Sequence, residues 1–242
     1  MNRYLKNTAK RIMGSIYYAC YKKYQTVGNR ALIYHAFGSK LRHDTYGISI
    51  DIKNFKHHID FLHQNYKFTH IINKSMSPTN ISITIDDGYK DSLDAINILS
   101  AKNIPFTIYI TSGFINQKNY MSSEDIYEIS KMSNCVIGAH GLTHLKFSEL
   151  DVIKQKHELK ESKFIIEDII GISVDTLSYP HGSFDCNTIS IAKDLGYTSA
   201  ASSIKGFNDN KTDPFRLKRS EVIASDNIRE LSNKIKGYYD FY

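Results

Sequence analysis

From residue 31 to the C-terminus, short runs of apolar and β-branched residues alternate with stretches of helical period, and no other feature restricts the fold as much. The strand candidates are 31–35, 81–86, 106–110, 135–140, 176–179, 197–201 and 222–224. Helix candidates lie between them near 54–65, 90–102, 123–132, 148–170, 186–195 and 226–236, with Ser148 and Asn187 as two of the capping residues. Strands separated by helices pair in parallel, because a parallel neighbour is reached only through a crossover. About seven of them predict an α/β fold, a single distorted or incomplete (β/α)-barrel. A chain of 242 residues accommodates one such domain. It is placed at 31–242, after an N-terminal extension at 1–30.

In a parallel barrel the strand-to-helix loops meet at the carboxyl ends of the strands, and reacting groups gather there. Four segments put polar side chains at that rim. His35 closes the first strand candidate, Asp86 and Asp87 the second, His140 the fourth, and Pro180-His181-Gly182 follows the fifth. Along Ile81-Ser82-Ile83-Thr84-Ile85-Asp86 the period of two sends Ser82, Thr84 and Asp86 to one face and the isoleucines to the other. An extended Asp87 would point away from Asp86, but Gly88 permits a sharp turn that brings both carboxylates to one centre. His140 and His144 share a face if helical, or meet across a tight loop.

One carboxylate with two imidazoles supplies three ligands and keeps a coordination position open, the arrangement by which a divalent ion activates water. The second carboxylate is then available as a base. The competing reading of the same residues is an Asp-Gly turn beside solvent-exposed loop histidines. Gly141 stands where a zinc-protease helix needs glutamate, which excludes that class.

Thr84-Ile85-Asp86-Asp87-Gly88 resembles the Thr-Phe-Asp-Asp-Gly motif of the polysaccharide deacetylases with the nodulation-protein (NodB) homology domain, carbohydrate esterase family 4. His140-Gly141-Leu142-Thr143-His144 resembles that family's His-Ser/Thr-x-x-His motif, and Ser178-Tyr179-Pro180-His181-Gly182 its Arg-x-Pro-Tyr-Gly motif. The likeness covers most of 31–242. It implies a metal-dependent hydrolase that removes an N-acetyl group from an acetylated sugar, whether polysaccharide, oligosaccharide or lipid-linked, and releases acetate. Within the resemblance Asp86 is the catalytic base. Asp87, His140 and His144 hold a divalent metal, expected to be Zn²⁺, and the backbone N–H of His181 serves the oxyanion.

Three departures from the family pattern stand out. Ser178 replaces the motif arginine that steadies the base, leaving Arg216 or Arg219 as substitutes; the chain has no tryptophan for the fourth motif; and no Leu-x-His acid follows near the C-terminus. Leu32-Ile33-Tyr34-His35 is similar to the early Tyr-His segment of the branch acting on poly-N-acetylglucosamine, which makes His35 the candidate general acid. The degenerate motifs keep a non-catalytic glycan-binding barrel open. The Asp-Asp and His-His set also fits another metal hydrolase, such as a phosphoesterase or a cyclic-amide hydrolase.

The formal net charge of +6 is concentrated in residues 1–30, which hold Arg3, Lys6, Lys10, Arg11, Lys22, Lys23 and Arg30 and no acidic residue. The rest is close to neutral, so no nucleic-acid partner is expected. Leu5, Ala9, Ile12, Met13, Ile16, Cys20 and Tyr24 recur at helical spacing through this arm. Two readings stay open: peripheral association with an anionic membrane through residues 1–28, or a terminal helix packed on the barrel. The apolar stretch near 12–21 is interrupted by glycine, serine and tyrosines and lacks a small-x-small cleavage site, which disfavours secretion. Cys20, Cys135 and Cys186 have no Cys-x-x-Cys spacing, so neither a disulfide framework nor a thiolate zinc site is expected. A cytoplasmic location, with the arm on the inner membrane face as one variant, follows as the expectation.

Overall fold

Among the described residues eight strands form one sheet, and every pairing between them is parallel. The computed structural model describes residues 3–22, 28–41, 44, 46–73 and 80–241. The extension forms α1 (Arg3–Tyr17), continued by a π-helical turn at Tyr18–Lys22. The barrel then runs β1 (Arg30–Tyr34), α2 (Ile52–Asn65), β2 (Lys67–Phe68), β3 (Asn80–Ile85), α3 (Ser92–Ala101), β4 (Phe106–Ile110), α4 (Ser123–Ser130) and β5 (Cys135–Ala139). It finishes with α5 (Val152–Ile170), β6 (Thr176–Ser178), α6 (Cys186–Asp194), β7 (Ser199–Ala201), β8 (Arg219–Glu221) and α7 (Ile228–Lys236).

The main path of the sheet is β7-β6-β5-β4-β3-β1-β8, with β2 paired beside the start of β3. The two ends of that path nearly meet. Leu217, just before β8, donates its N–H to the Ala200 carbonyl at 3.0 Å and accepts the N–H of Ser202 at 2.8 Å. A seven-strand, almost closed (β/α)-barrel results, as the alternation predicts.

Alternation along each strand divides the molecule into two layers. On β3, Ile81, Ile83 and Ile85 face the helices and join the main core with Phe55, Ile59, Leu62, Leu99 and Ile126. Each such fully buried side chain contributes roughly 1.5–3 kcal/mol. Ser82 and Thr84 face inward, where Ser82 donates to the Thr69 carbonyl at 2.7 Å and Thr84 to the Leu32 carbonyl at 2.9 Å. A small apolar cluster of Ala31, Ile71, Tyr109, Ala201 and Leu217 fills the interior beneath the rim. Gly138 of β5 makes room for it, since a Cβ there would fall 2.5 Å from the Tyr109 ring.

Several predicted boundaries move. The last strand is Arg219–Glu221 and not 222–224, because the register pairs Ala31 with Arg219 and leaves Ala224 bonding the Gly47 carbonyl instead of a strand. Tyr197 lies outside β7. Ser148 caps no α-helix: it sits in the 3-10 turn Phe147–Glu149 and bonds Ser183, while Asp151 caps α5 by accepting from Lys154 N–H. Asn187 is inside α6, whose cap is Asp185, a carboxylate that takes the Thr188 N–H at 2.8 Å. No helix among the described residues is long and apolar enough to cross a membrane.

Candidate active site

The rim chemistry begins where β3 runs out. Asp86 keeps an extended partner, donating its N–H to the Tyr34 carbonyl at 2.9 Å. The next two residues then turn into the left-handed region, Asp87 at φ 76° and Gly88 at φ 80°. Aspartate tolerates that conformation better than most residues, and glycine adopts it freely. The consequence is the one expected of Gly88: Asp87 swings back, and both carboxylates face one centre.

His140 directly follows β5, its N–H donated to the Ile110 carbonyl at 2.8 Å. The four residues after it form a tight loop, not a helix, with Gly141 at φ 72° and His144 at φ 61°. Glu158 of α5 shapes that loop. Its buried carboxylate accepts the N–H groups of Leu142 and Thr143 at 2.8 and 2.9 Å and the Thr143 hydroxyl as well. Ser162, one helical turn on, donates to the Gly141 carbonyl at 2.9 Å.

These turns bring Asp87, His140 and His144 together, with one ligand atom of each inside 4.8 Å of the others. Asp87 Oδ1 lies 3.3 Å from His140 Nε2 and 3.1 Å from His144 Nε2. Neither contact is aligned as a hydrogen bond, and this buried oxygen is left without a hydrogen-bond partner. His140 Nδ1 donates to the Ser178 carbonyl at 2.9 Å, which in the neutral ring leaves the Nε2 lone pair pointing at the centre. An orphaned carboxylate oxygen facing two imidazole nitrogens fits a divalent cation. Burial would raise the Asp87 pKa, but the two imidazoles hold it well below the ordinary carboxylate value.

Asp86 stands beside this triad on separate anchors. Arg219, fully buried, donates from Nη1 to Oδ1 at 2.7 Å and from Nη2 to Oδ2 at 2.8 Å. The Ser178 hydroxyl donates to Oδ2 at 3.1 Å. Burial alone would push the Asp86 pKa up, and the Arg219 charge overrides it to hold the carboxyl below its usual range. Of the two arginines considered as substitutes, Arg219 meets Asp86; Arg216 is half exposed and lies 3.8 Å from Asp213.

A cavity of about 390 Å³ opens over the two carboxylates and is lined by His35, His140, His144 and His181. His35 follows β1 with its Nδ1 buried and without a partner, so it is not the backbone-bonded histidine of a purely structural strand end. His181 occupies the turn Pro180–Gly182 at φ 57°, its ring 4.6 Å from that of His144. Burial and the neighbouring imidazoles lower its pKa.

Three contributors escape the sequence reading. Glu158 is one; the polar stripe Gln155, Glu158 and Ser162 on the buried face of α5 was its available signal. Tyr89 is another: its phenol lies near Asp87, and burial together with that carboxylate pushes its pKa up. Tyr46 is the third, 74% exposed at the cavity wall in a segment with no periodic signal.

Residues 73–200, which span both carboxylates, both histidines and the Pro-His-Gly turn, match the family described as polysaccharide deacetylase. The chain belongs to the polysaccharide deacetylase family. A Bacillus subtilis protein, YxkH, named within that family, is 25% identical over 203 residues, covering 79% of this chain and 70% of the relative. A Bacillus anthracis polysaccharide deacetylase structure superposes with a TM-score of 0.77 at 20% identity, over 86% of this deacetylase-family chain and 69% of the other. The IcaB structure from Ammonifex degensii gives 0.75 at 19% identity, over 87% and 97%. At these identities the structural matches speak to the fold.

Proposed function

We propose that the protein hydrolyses the N-acetyl group of an acetylated saccharide, using a divalent ion, zinc in this reading, held by Asp87, His140 and His144. One observation carries the proposal: a three-ligand cluster and a second, independently anchored carboxylate share a single cavity. The Asp86–Arg219 pair also speaks against a barrel that has lost its chemistry, because the motif arginine absent at Ser178 has a functional equivalent.

When bound, the ion would polarise the acetamide carbonyl and acidify water at its open position. Asp86, kept ionised and pinned at both oxygens, takes a proton from the attacking water. The new bond joins water oxygen to the carbonyl carbon. The charge developing on the carbonyl oxygen is met by the main-chain N–H of His181 in its turn. The C–N bond then breaks, and because an amide anion is a poor leaving group, the nitrogen must receive a proton as it departs. His35, across the cavity, gives that proton. Acetate and a free amino sugar leave.

The test is acetate release from N-acetylated and O-acetylated saccharides, with metal content measured alongside. Asp86→Asn retains metal and loses about 10²–10⁴-fold in rate, whereas His140→Ala loses both metal and activity. Full activity in either variant, or turnover of O-acetyl groups alone, overturns the reading.

A further inference from the structure

The extension is half packed and half bare. Gly14 of α1 sits against the C-terminal segment so closely that a Cβ would meet the Tyr238 carbonyl oxygen at 2.7 Å. Tyr18 stacks on Tyr238 at 4.2 Å, Tyr17 meets Phe241, and Arg11 pairs with Glu230 at 2.8 Å. On the other side Ala9, Ile12, Met13, Ile16 and Cys20 recur at three- and four-residue spacing and are all exposed. The three large ones are 57%, 55% and 59% accessible. Projected at 100° per residue, the four within α1 fall within about a third of the helix circumference, turned away from the packed residues.

Charge decides what covers this stripe. Of the seven basic residues in 1–30, Arg11 and Arg30 are paired with Glu230 and Asp240; the segment itself holds no acidic residue beside the other five, so a second copy laid face to face on α1 would bring two cationic arms together. A nucleic acid would satisfy the charge and leave the stripe in water. An anionic bilayer satisfies both, because the helix can sink its apolar face among the headgroups while the basic residues meet anionic lipid.

We infer that α1 docks the protein on an anionic lipid surface through Ile12, Met13 and Ile16. The docking does not depend on the deacetylase reading.

The experiment uses the full chain with vesicles of neutral phosphatidylcholine and of phosphatidylcholine mixed with an anionic phospholipid, read by flotation. Binding to the mixed vesicles is expected, weakened by salt and by removing the anionic lipid. The triple variant Ile12→Ser, Met13→Ser, Ile16→Ser should partition at least about tenfold less, while its helical circular dichroism and its acetate release from a soluble acetylated oligosaccharide stay at wild-type level. Equal partitioning of variant and wild type overturns the docking, and so does a concentration-dependent dimer that the triple variant abolishes. Vesicle binding by a protein inactive on every acetylated sugar would keep the docking and sink the deacetylase reading; activity without vesicle binding would do the reverse.

Discussion

Arg219 grips both oxygens of Asp86 in parallel, at 2.7 and 2.8 Å, from a strand 133 residues away in sequence. The fork is itself held. Nε donates to the Ser202 carbonyl at 3.0 Å, and Nη1 also reaches Thr84 at 3.0 Å. Asp86 is therefore fixed in direction as well as in charge, and both are requirements of a base.

Replacing Arg219 by methionine leaves a buried carboxylate unpaired and should cost about 3–5 kcal/mol of stability. Urea denaturation of Arg219→Met, Asp86→Asn and the double variant checks this. The double variant should be destabilised by clearly less than the sum of the singles, since each single alone strands a polar partner. Strict additivity would show the two residues to be uncoupled.

His35 can be separated from Asp86 by its choice of leaving group. His35→Ala should lose about 10²-fold or more on an N-acetyl sugar, which needs protonation at nitrogen. On an aryl acetate, whose phenolate departs unaided, the same variant should stay within a few-fold of wild type. Steady-state rates on the two substrates decide it, and equal losses would remove the general-acid role.

Glu158 shapes the ligand loop without touching the centre. Glu158→Gln keeps the size but offers one acceptor oxygen in place of two, and should weaken metal retention about 10–100-fold. Competition with a chromophoric chelator measures this. Unchanged retention would make Glu158 a fold residue only.

The protein's acid sensitivity should owe part of its size to His58. Burial lowers its pKa, and its ring is satisfied in the neutral form, with Nε2 2.9 Å from the Asp226 carbonyl and Nδ1 3.4 Å from the Tyr34 hydroxyl. The folded state thus resists a proton that the unfolded chain accepts near pH ~6.5. Stability from this group is complete above that pH and declines as the pH falls through the lowered folded value. Between pH 7.5 and 5.5, wild type should lose more unfolding free energy than His58→Leu. Parallel losses would reject the assignment.

The barrel and the convergence of its motifs were legible because they rest on local periodicity. Ser82, Thr84 and Asp86 alternate with isoleucines, and that alone fixes which face meets the interior. The arginine serving Asp86 was legible only as a pair of candidates. Arg216 and Arg219 are three residues apart in an irregular stretch, and the choice depends on the register of β8 against β1, which no local pattern encodes. Glu158 was hidden for the same reason, since its role exists only once α5 lies under the histidine loop. Cap positions slipped where two oxygen-bearing residues compete within a few positions, as Ser148 and Asp151 do.

Tyr109, admitted by the bare backbone of Gly138, stoppers the barrel below Arg219 and leaves its guanidinium 5.3 Å from the ring. Among the described residues the reaction chamber is thereby closed from below and is entered from the rim. Water, saccharide, acetate and amine all use that rim, so departing products and the next arrival contend for the same opening, and whatever crowds the mouth governs turnover as much as the chemistry within.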